Sequence, residues 1–173
     1  MPDDVLRPLL AAAVEGDDRA VAELVRATQP AVWRLCAALG SPGEEEDLVQ
    51  EVYVRALRAA AGYRADAPVL PWLLSIARNV CADDVRRRQR QRRVLERLRV
   101  LAVEPAAAPS DFVDDVLAAL EPQRREAFVM TQLVGLSYEE AAVALDCPVG
   151  TVRSRVARAR ADLSAAVRRA DAV

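Results

Sequence analysis

The sequence predicts an all-α protein built as two small helical domains joined by a flexible linker. Apolar residues recur at helical spacing through most of its 173 residues, and no segment shows the alternation of a half-buried strand. The stretch VLAVEPAAAPS, with two prolines and little to bury, interrupts the pattern once. The length allows one ordinary domain or two small ones, and with 53 % hydrophobic but 4 % aromatic residues the cores must be aliphatic.

Residues 5–39 read as two helices broken near Gly16 and Asp17, with Pro30 expected to kink or divide the second. SPGEEEDLVQEVYVRALRAA carries a turn signal at Ser41–Gly43 and acids in the first helical turn, where the macrodipole favours them. Its stripe of Leu48, Val52, Ala56 and Ala59 is expected to face a core. GYRADAPVLP predicts a loop of about eight residues, and Pro71 suits the first position of the helix that follows. In that helix Leu73, Ile76, Ala77 and Val80 form the core-facing stripe, Trp72 is expected to pack, and Ser75, Asn79, Ala82 and Arg86 form a small polar stripe opposite. Beyond the linker, Ser110 or Asp111 can cap FVDDVLAAL, Pro122 opens QRREAFVMTQLVG, and Gly135 closes it. SYEEAAVAL and VGTVRSRVARARADLSAAVRRA complete the chain around a turn at Asp146, Cys147 and Pro148.

The chain has no histidine, the commonest general base and metal ligand, so triad hydrolysis, histidine relays and most zinc sites are not expected. No other acid–base, metal or phosphate-loop constellation is present in the sequence; the expectation is a non-enzyme with no cofactor and no metal. Cys36, Cys81 and Cys147 lie inside apolar helical patterns and read as buried free thiols of a reducing compartment rather than redox sensors. The first residues are acidic rather than basic. No apolar run reaches the roughly 18 residues that span a bilayer, so the expectation is a cytoplasmic protein without membrane insertion.

Charge is segmented along the chain. Residues 1–85 hold 14 acids and 8 arginines, 86–99 hold 1 and 8, 100–148 hold 9 and 2, and 149–173 hold 2 and 6. Two basic patches between acidic bodies suit contact with a polyanion at two places and with another protein elsewhere. All 24 basic residues are arginine, which we read as coding bias without functional meaning.

LSYEEAAVALDCPVGTVRSRVARARADL has the layout of a helix-turn-helix, with Ser137 as cap, Glu140 completing a capping box, and Ala141 and Ala142 small enough for close packing. At 100° per residue Val152, Val156, Ala159 and Leu163 share one face within about 60°. Thr151, Ser154, Ala157, Arg158 and Ala161 face away, with Arg153, Arg155 and Arg160 at the flanks. Small residues permit close approach to a major groove and arginine can bind guanine edges or phosphates. A solvated surface helix of an ordinary bundle would show the same spacing, and the usual turn glycine is replaced here by Asp146.

GLSYEEAAVALDCPVGTVRSRVARAR resembles region 4 of the extracytoplasmic-function (ECF) sigma factors, members of the sigma-70 family, and DLVQEVYVRAL with PWLLSIARNVCADDVRRR resembles their region 2. The resemblance spans about residues 8–98 and 110–165. It implies a region 2 domain over 1–98, a linker over 99–110 and a region 4 domain over 111–173. It further implies that the chain binds core RNA polymerase and promoter DNA. Carried over by position, Asp47, Gln50, Glu51 and Arg55 are candidates for core-polymerase binding, with plain solvation the alternative. Tyr63, Arg64, Asp66, Arg78, Asn79, Asp83 and Arg86 are candidates for the melted minus-ten element. Thr151, Arg153, Ser154, Arg155, Ala157 and Arg158 are candidates for the minus-thirty-five element. Beside such a helix, eight arginines in 14 residues suit phosphate contact better than a self-repelling surface.

The 11 residues of VLAVEPAAAPS reach at most about 36 Å, enough to seat two modules on separate promoter elements. Ala141 stands where a larger aliphatic residue is expected, and APVLP replaces a plainer polar loop, which leaves minus-ten specificity open. No further regulatory domain follows Val173, so control by a separate anti-sigma factor is expected. The main rival, a stand-alone helix-turn-helix transcriptional regulator, accounts for the second basic patch but not for DLVQEV and WLLSIARN. An enzymatic helical bundle lacks any supporting constellation.

Overall fold

The computed structural model describes residues 3–98 and 112–170. All regular structure among them is helical: α1 (Asp3–Val14), α2 (Asp18–Leu39), α3 (Glu45–Ala59), α4 (Val69–Leu98), α5 (Phe112–Ala118), α6 (Pro122–Phe128), α7 (Tyr138–Leu145) and α8 (Val149–Ala170), with a short 3₁₀ turn at Ala60–Gly62. The expected linker over 99–110 and the cap at Ser110 or Asp111 lie outside the described residues.

The break between α1 and α2 is where the sequence placed it. Gly16 takes a left-handed φ of 92°, and the Asp17 carboxylate accepts from the backbone N–H groups of Arg19 (2.8 Å) and Ala20 (3.2 Å). Pro30 does not divide α2, which runs unbroken over 22 residues. Pro30 sits on the exposed face while Thr28, Val32, Leu35 and Cys36 around it are buried, so packing carries the helix past the missing donor. At Gly40 a Cβ would collide with the Leu48 side chain and lie 2.7 Å from the Cys36 carbonyl, so the approach of α3 to the end of α2 requires glycine.

Leu48, Val52 and Ala56 of the expected α3 stripe are buried, but Ala59 is exposed and Ala60 is buried in its place. The inner face of a 3.6-residue helix advances in steps of four here, and that drift moves it from 59 to 60. The fourth helix begins at Val69, two residues before Pro71, because Asp3 Oδ1 accepts the Val69 N–H at 2.6 Å and supplies a cap from α1. Its stripe is buried at Leu73, Ala77 and Val80 and half-buried at Ile76, and Leu74 and Cys81 widen it. Trp72 packs between two clusters. Pro122 opens α6, whose cap is the Glu121 side chain accepting from the Gln123 and Arg124 N–H groups (3.2 and 3.1 Å). The helix widens to a π-type turn over Val129–Leu133 before ending at Gly135, φ 90°.

One cluster of buried residues runs through both halves, including Val32, Leu35, Val52 and Leu74 from the N-terminal helices and Met130, Val152 and Val156 from the C-terminal ones. Polar bridges join the same halves: Arg34 Nη1 donates to Leu133 O (3.3 Å), Arg78 Nη1 to Leu145 O (3.4 Å), and Arg125 to Ala38 O. Arg78 also lies 3.8 Å from Glu126, whose carboxyl burial pushes up against the partial opposition of Arg78 and Arg155. A second cluster, Leu6, Leu10, Leu24, Ala60 and Val69, seats α1.

The cysteines are free. Cys36 and Cys81, remote in sequence, are both buried in one cluster, and the Cys36 thiol together with burial pushes the Cys81 thiol up. Cys147 departs from the expectation in being only half-buried, where Arg155 Nη1 donates to its sulfur at 3.6 Å.

Asp84, 4 % exposed, is a buried carboxylate that periodicity had not marked. Burial raises the cost of its charge, but the Ser41 N–H (3.3 Å) and the guanidinium groups of Arg87 (2.7 Å) and Arg88 (3.9 Å) outweigh it, holding the carboxyl below its ordinary range. A depressed folded-state pKa contributes stability that is present above the unfolded value and is lost as pH falls through the folded one. Asp84→Asn is therefore expected to cost about 1 to 3 kcal/mol at neutral pH and to flatten the acid limb of stability. Thermal unfolding from pH 7 down to about pH 3 checks it; an acid limb as steep as wild type's would remove Asp84 as its source.

Candidate nucleic-acid interface

The helix-turn-helix forms from local signals alone. Ser137 Oγ accepts the Glu140 N–H (3.1 Å) and Glu140 accepts the Ser137 N–H (2.8 Å), the reciprocal capping box. Asp146 takes the left-handed conformation, φ 50° and ψ 53°, that glycine usually supplies, and its N–H reaches back to Ala142 and Val143 carbonyls. Ala141, fully buried, lets α7 lie close to its neighbours. Val152, Val156 and Ala159 of α8 are buried and Leu163 is half-buried.

On the opposite side Ser154, Ala157, Arg158 and Ala161 are exposed and Thr151 is half-buried. The arginines around them are not equivalent. Arg153 is 3.7 Å from Glu139 and sits over the Tyr138 ring at 5.9 Å. Arg155 donates to Gln123 and to Cys147, and Arg160 donates to Gln132 at 2.6 Å. Arg158 has no hydrogen bond or ion pair among the described residues. The strip of Ser154, Ala157 and Arg158 is thus open, with the Ser154 hydroxyl donating back to Thr151 O (3.0 Å) and tethered guanidinium groups at its flanks, which is the shape and charge a major groove accepts.

The second surface lies on α3, the 63–68 loop and α4. Arg64 and Asp66 project from the loop into solvent, whereas Tyr63 is half-buried, its ring 5.0 Å from Trp72 at 58°. On α4, Asn79, Asp83 and Arg86 share an exposed face. Arg78 does not join it fully: it donates to Asn79 Oδ1 (3.3 Å) but is otherwise turned toward Glu126 and Leu145.

Asp47 and Gln50 are exposed on α3, and Glu51 and Arg55 are half-buried beside them. Asp47, Glu51 and Arg55 line a groove of about 490 Å³ between α3 and α4, and Gln50 lies outside its lining. Arg55 donates to Glu51 (2.6 Å) and across the groove to Asp83 (2.8 Å), and Asp83 also accepts from Arg86 (2.6 Å). Arg55 and then Arg86 hold the Asp83 carboxyl below its ordinary range. Residues expected in two separate roles are therefore one ion-pair network, with Asp83 the link. Sequence reasoning missed Arg7 and Asp3, which bond to the loop from α1; they lie about 60 residues away and leave no periodic signal.

A family model described as Sigma-70 region 2 matches residues 24–91, and one described as Sigma-70, region 4 matches residues 113–163. The chain is 40 % identical over 164 residues to the ECF RNA polymerase sigma factor SigC of Mycobacterium tuberculosis, covering 91 % of this chain and 89 % of that one. It is 31 % identical over 163 residues to the ECF RNA polymerase sigma-E factor of Escherichia coli K12, covering 84 % and 85 %. Among solved structures, CnrH in complex with the cytosolic domain of CnrY is similar at a TM-score of 0.76 with 33 % identity over 94 % of this chain and 97 % of that one. The sigma factor RpoE of Bartonella quintana, solved with the anti-sigma factor NepR, is similar at 0.66 with 28 % identity over 84 % and 95 %. The rival reading, a lone helix-turn-helix regulator, has no place for the region 2 match over α2 to α4. The chain belongs to the extracytoplasmic-function sigma factors of the sigma-70 family.

Proposed function

We propose that this chain binds core RNA polymerase in the bacterial cytoplasm and directs it to promoters, acting by binding and not by turnover. The observation that carries the reading is the pairing, on one chain, of an open α8 strip with a polar α4 face beside an exposed loop. Each suits a different form of DNA. Duplex DNA at the minus-thirty-five element meets Ser154, Ala157 and Arg158, flanked by Thr151, Arg153 and Arg155. Melted minus-ten bases meet Arg64, Asp66, Asn79 and Arg86, with Tyr63 backing the loop and Arg78 and Asp83 at the margins. Asp47, Glu51 and Arg55 offer the polymerase a charged groove, with Gln50 exposed on the same helix. Residues 1–98 and 111–173 act as the two promoter-binding domains, with 99–110 between them. No helix among the described residues is long and apolar enough to cross a membrane.

An anti-sigma factor controls the chain, covering the groove or separating the two halves; the Bartonella neighbour was solved with such a partner. Run-off transcription with purified core polymerase and genomic promoter fragments tests the main reading. Discrete start sites that depend on the chain are expected, and failure to bind core polymerase in gel filtration would end it.

Asn79→Ala separates base reading from polymerase binding. Asn79 is exposed and points away from Leu73, Ala77 and Val80. The substitution is expected to slow open-complex formation several-fold, roughly 1 kcal/mol for one lost base-edge contact, with core affinity unchanged. Permanganate footprinting and a core-binding competition measure the two; equal losses would mark the position as structural.

A further inference from the structure

Two side chains of α1 hold the loop between α3 and α4 at its middle and its C-terminal end. The Asp3 carboxylate uses one oxygen to accept the Val69 N–H at 2.6 Å and the other to accept Arg7 Nε. Arg7, oriented by that pair, donates from Nη1 to Ala65 O at 2.5 Å and from Nη2 to Ala67 O at 3.2 Å. The Tyr63 hydroxyl donates to the same Ala67 carbonyl. The planar fork of a guanidinium fixes two carbonyls at once, in a way a point charge cannot. Between these tethered atoms the loop leaves Arg64 and Asp66 exposed and directed outward.

The helix itself is seated independently of these bonds, since Leu6 is fully buried and Leu10 is 2 % exposed in their own cluster. It also lies before the stretch matched to region 2, which begins at residue 24. Stability of α1 and the shape of the loop are therefore separable, and Arg7 gives its two Nη donors to the loop while its Nε pairs with Asp3.

We propose that Arg7, oriented by Asp3, is a positioning residue for minus-ten recognition: it sets the conformation in which Arg64 and Asp66 meet the melted nontemplate strand. The inference rests on the loop reading given under Proposed function. A residue this far from the bases acts through pre-organisation, because an untethered loop would have to be ordered at the moment of binding.

The test uses holoenzyme assembled from core polymerase and full-length chain, with a single-stranded oligonucleotide carrying the nontemplate minus-ten element of a promoter found by run-off, and its scrambled counterpart. Arg7→Ala is expected to weaken the specific oligonucleotide roughly five- to tenfold and to shrink its advantage over the scrambled one, with core affinity within about twofold. Arg7→Lys, keeping charge but not the fork, is expected to fall between the two. Combined with Arg64→Ala, Arg7→Ala should add little, since both act through one contact. Such coupling is a readout that mere structural damage does not produce.

A folded Arg7→Ala chain that keeps full discrimination overturns the proposal, as do equal loss of core affinity and full additivity with Arg64→Ala. If Arg7→Ala loses structure, Arg7→Lys and the Arg7→Lys/Arg64→Ala pair decide by the same criteria. If Arg64→Ala and Asp66→Ala have no effect on the oligonucleotide, the loop is not a reading element and both readings fall. If they act and Arg7→Ala does not, only the positioning role is lost.

Discussion

Arg158→Ala is expected to cost roughly 1 to 3 kcal/mol at the preferred promoter and to flatten discrimination among minus-thirty-five variants. Arg158 lies one turn beyond Ser154 on the exposed side of α8, with Ala157 between them small enough to admit the groove floor. Its neighbours Arg153, Arg155 and Arg160 are engaged by Glu139, Gln123 and Gln132, so a base edge can recruit Arg158 without first breaking an internal bond. Arg168, exposed in the last turn of the same helix, serves as the control. Arg168→Ala should weaken all promoters alike and lower the salt dependence slightly, as loss of a phosphate contact does. Transcription titrations on one promoter and its single-base variants, at two salt concentrations, compare them. A uniform, salt-sensitive loss for Arg158→Ala would show that it touches only the backbone, and base reading would move to Arg153, Ser154 or Arg155.

Leu74→Ala is expected to lower stability by about 2 to 5 kcal/mol, the usual cost of emptying a buried leucine site that cannot collapse. Leu74 is fully buried in the cluster shared by the N- and C-terminal helices, and α4 is enclosed by α1, α2, α3 and α7 at once. With a typical domain only about 5 to 15 kcal/mol stable, the loss should show as a large fall in melting temperature. Promoter discrimination by whatever fraction remains folded should be unchanged. Denaturant unfolding measures the first and transcription normalised to folded chain the second. A loss below about 1 kcal/mol would mean that the helices around α4 close over the gap.

Leu74 also marks the limit of what periodicity can read. The stripe Leu73, Ile76, Ala77 and Val80 is the inner face of a helix packed on one side, and the sequence showed it because one-sided burial imposes a 3.6-residue period. A helix covered from several sides buries a wider arc, and Leu74 and Cys81 carry no signature distinguishing them from exposed apolar residues. The π-type turn at Val129–Leu133 and the unbroken passage through Pro30 are hidden for the same reason, since packing there overrides local preference.

By itself the sequence determined the all-helical class, the break at Gly16, the capping box at Ser137 and the outward strip of α8. Each depends on residues within four positions of one another, and short-range hydrogen bonds and helical spacing decide such features. It also determined family membership, because two motif blocks in order specify more than either alone. Only the tertiary structure decided which charges meet. Arg55 and Asp83 are 28 residues apart, Arg78 and Glu126 are 48 apart, and Arg7 is 58 from Ala65. An arginine's partner is set by which helices cross beside it, and crossing is decided by the burial of Leu35, Val52, Leu74 and Val156 together, a property of no single segment.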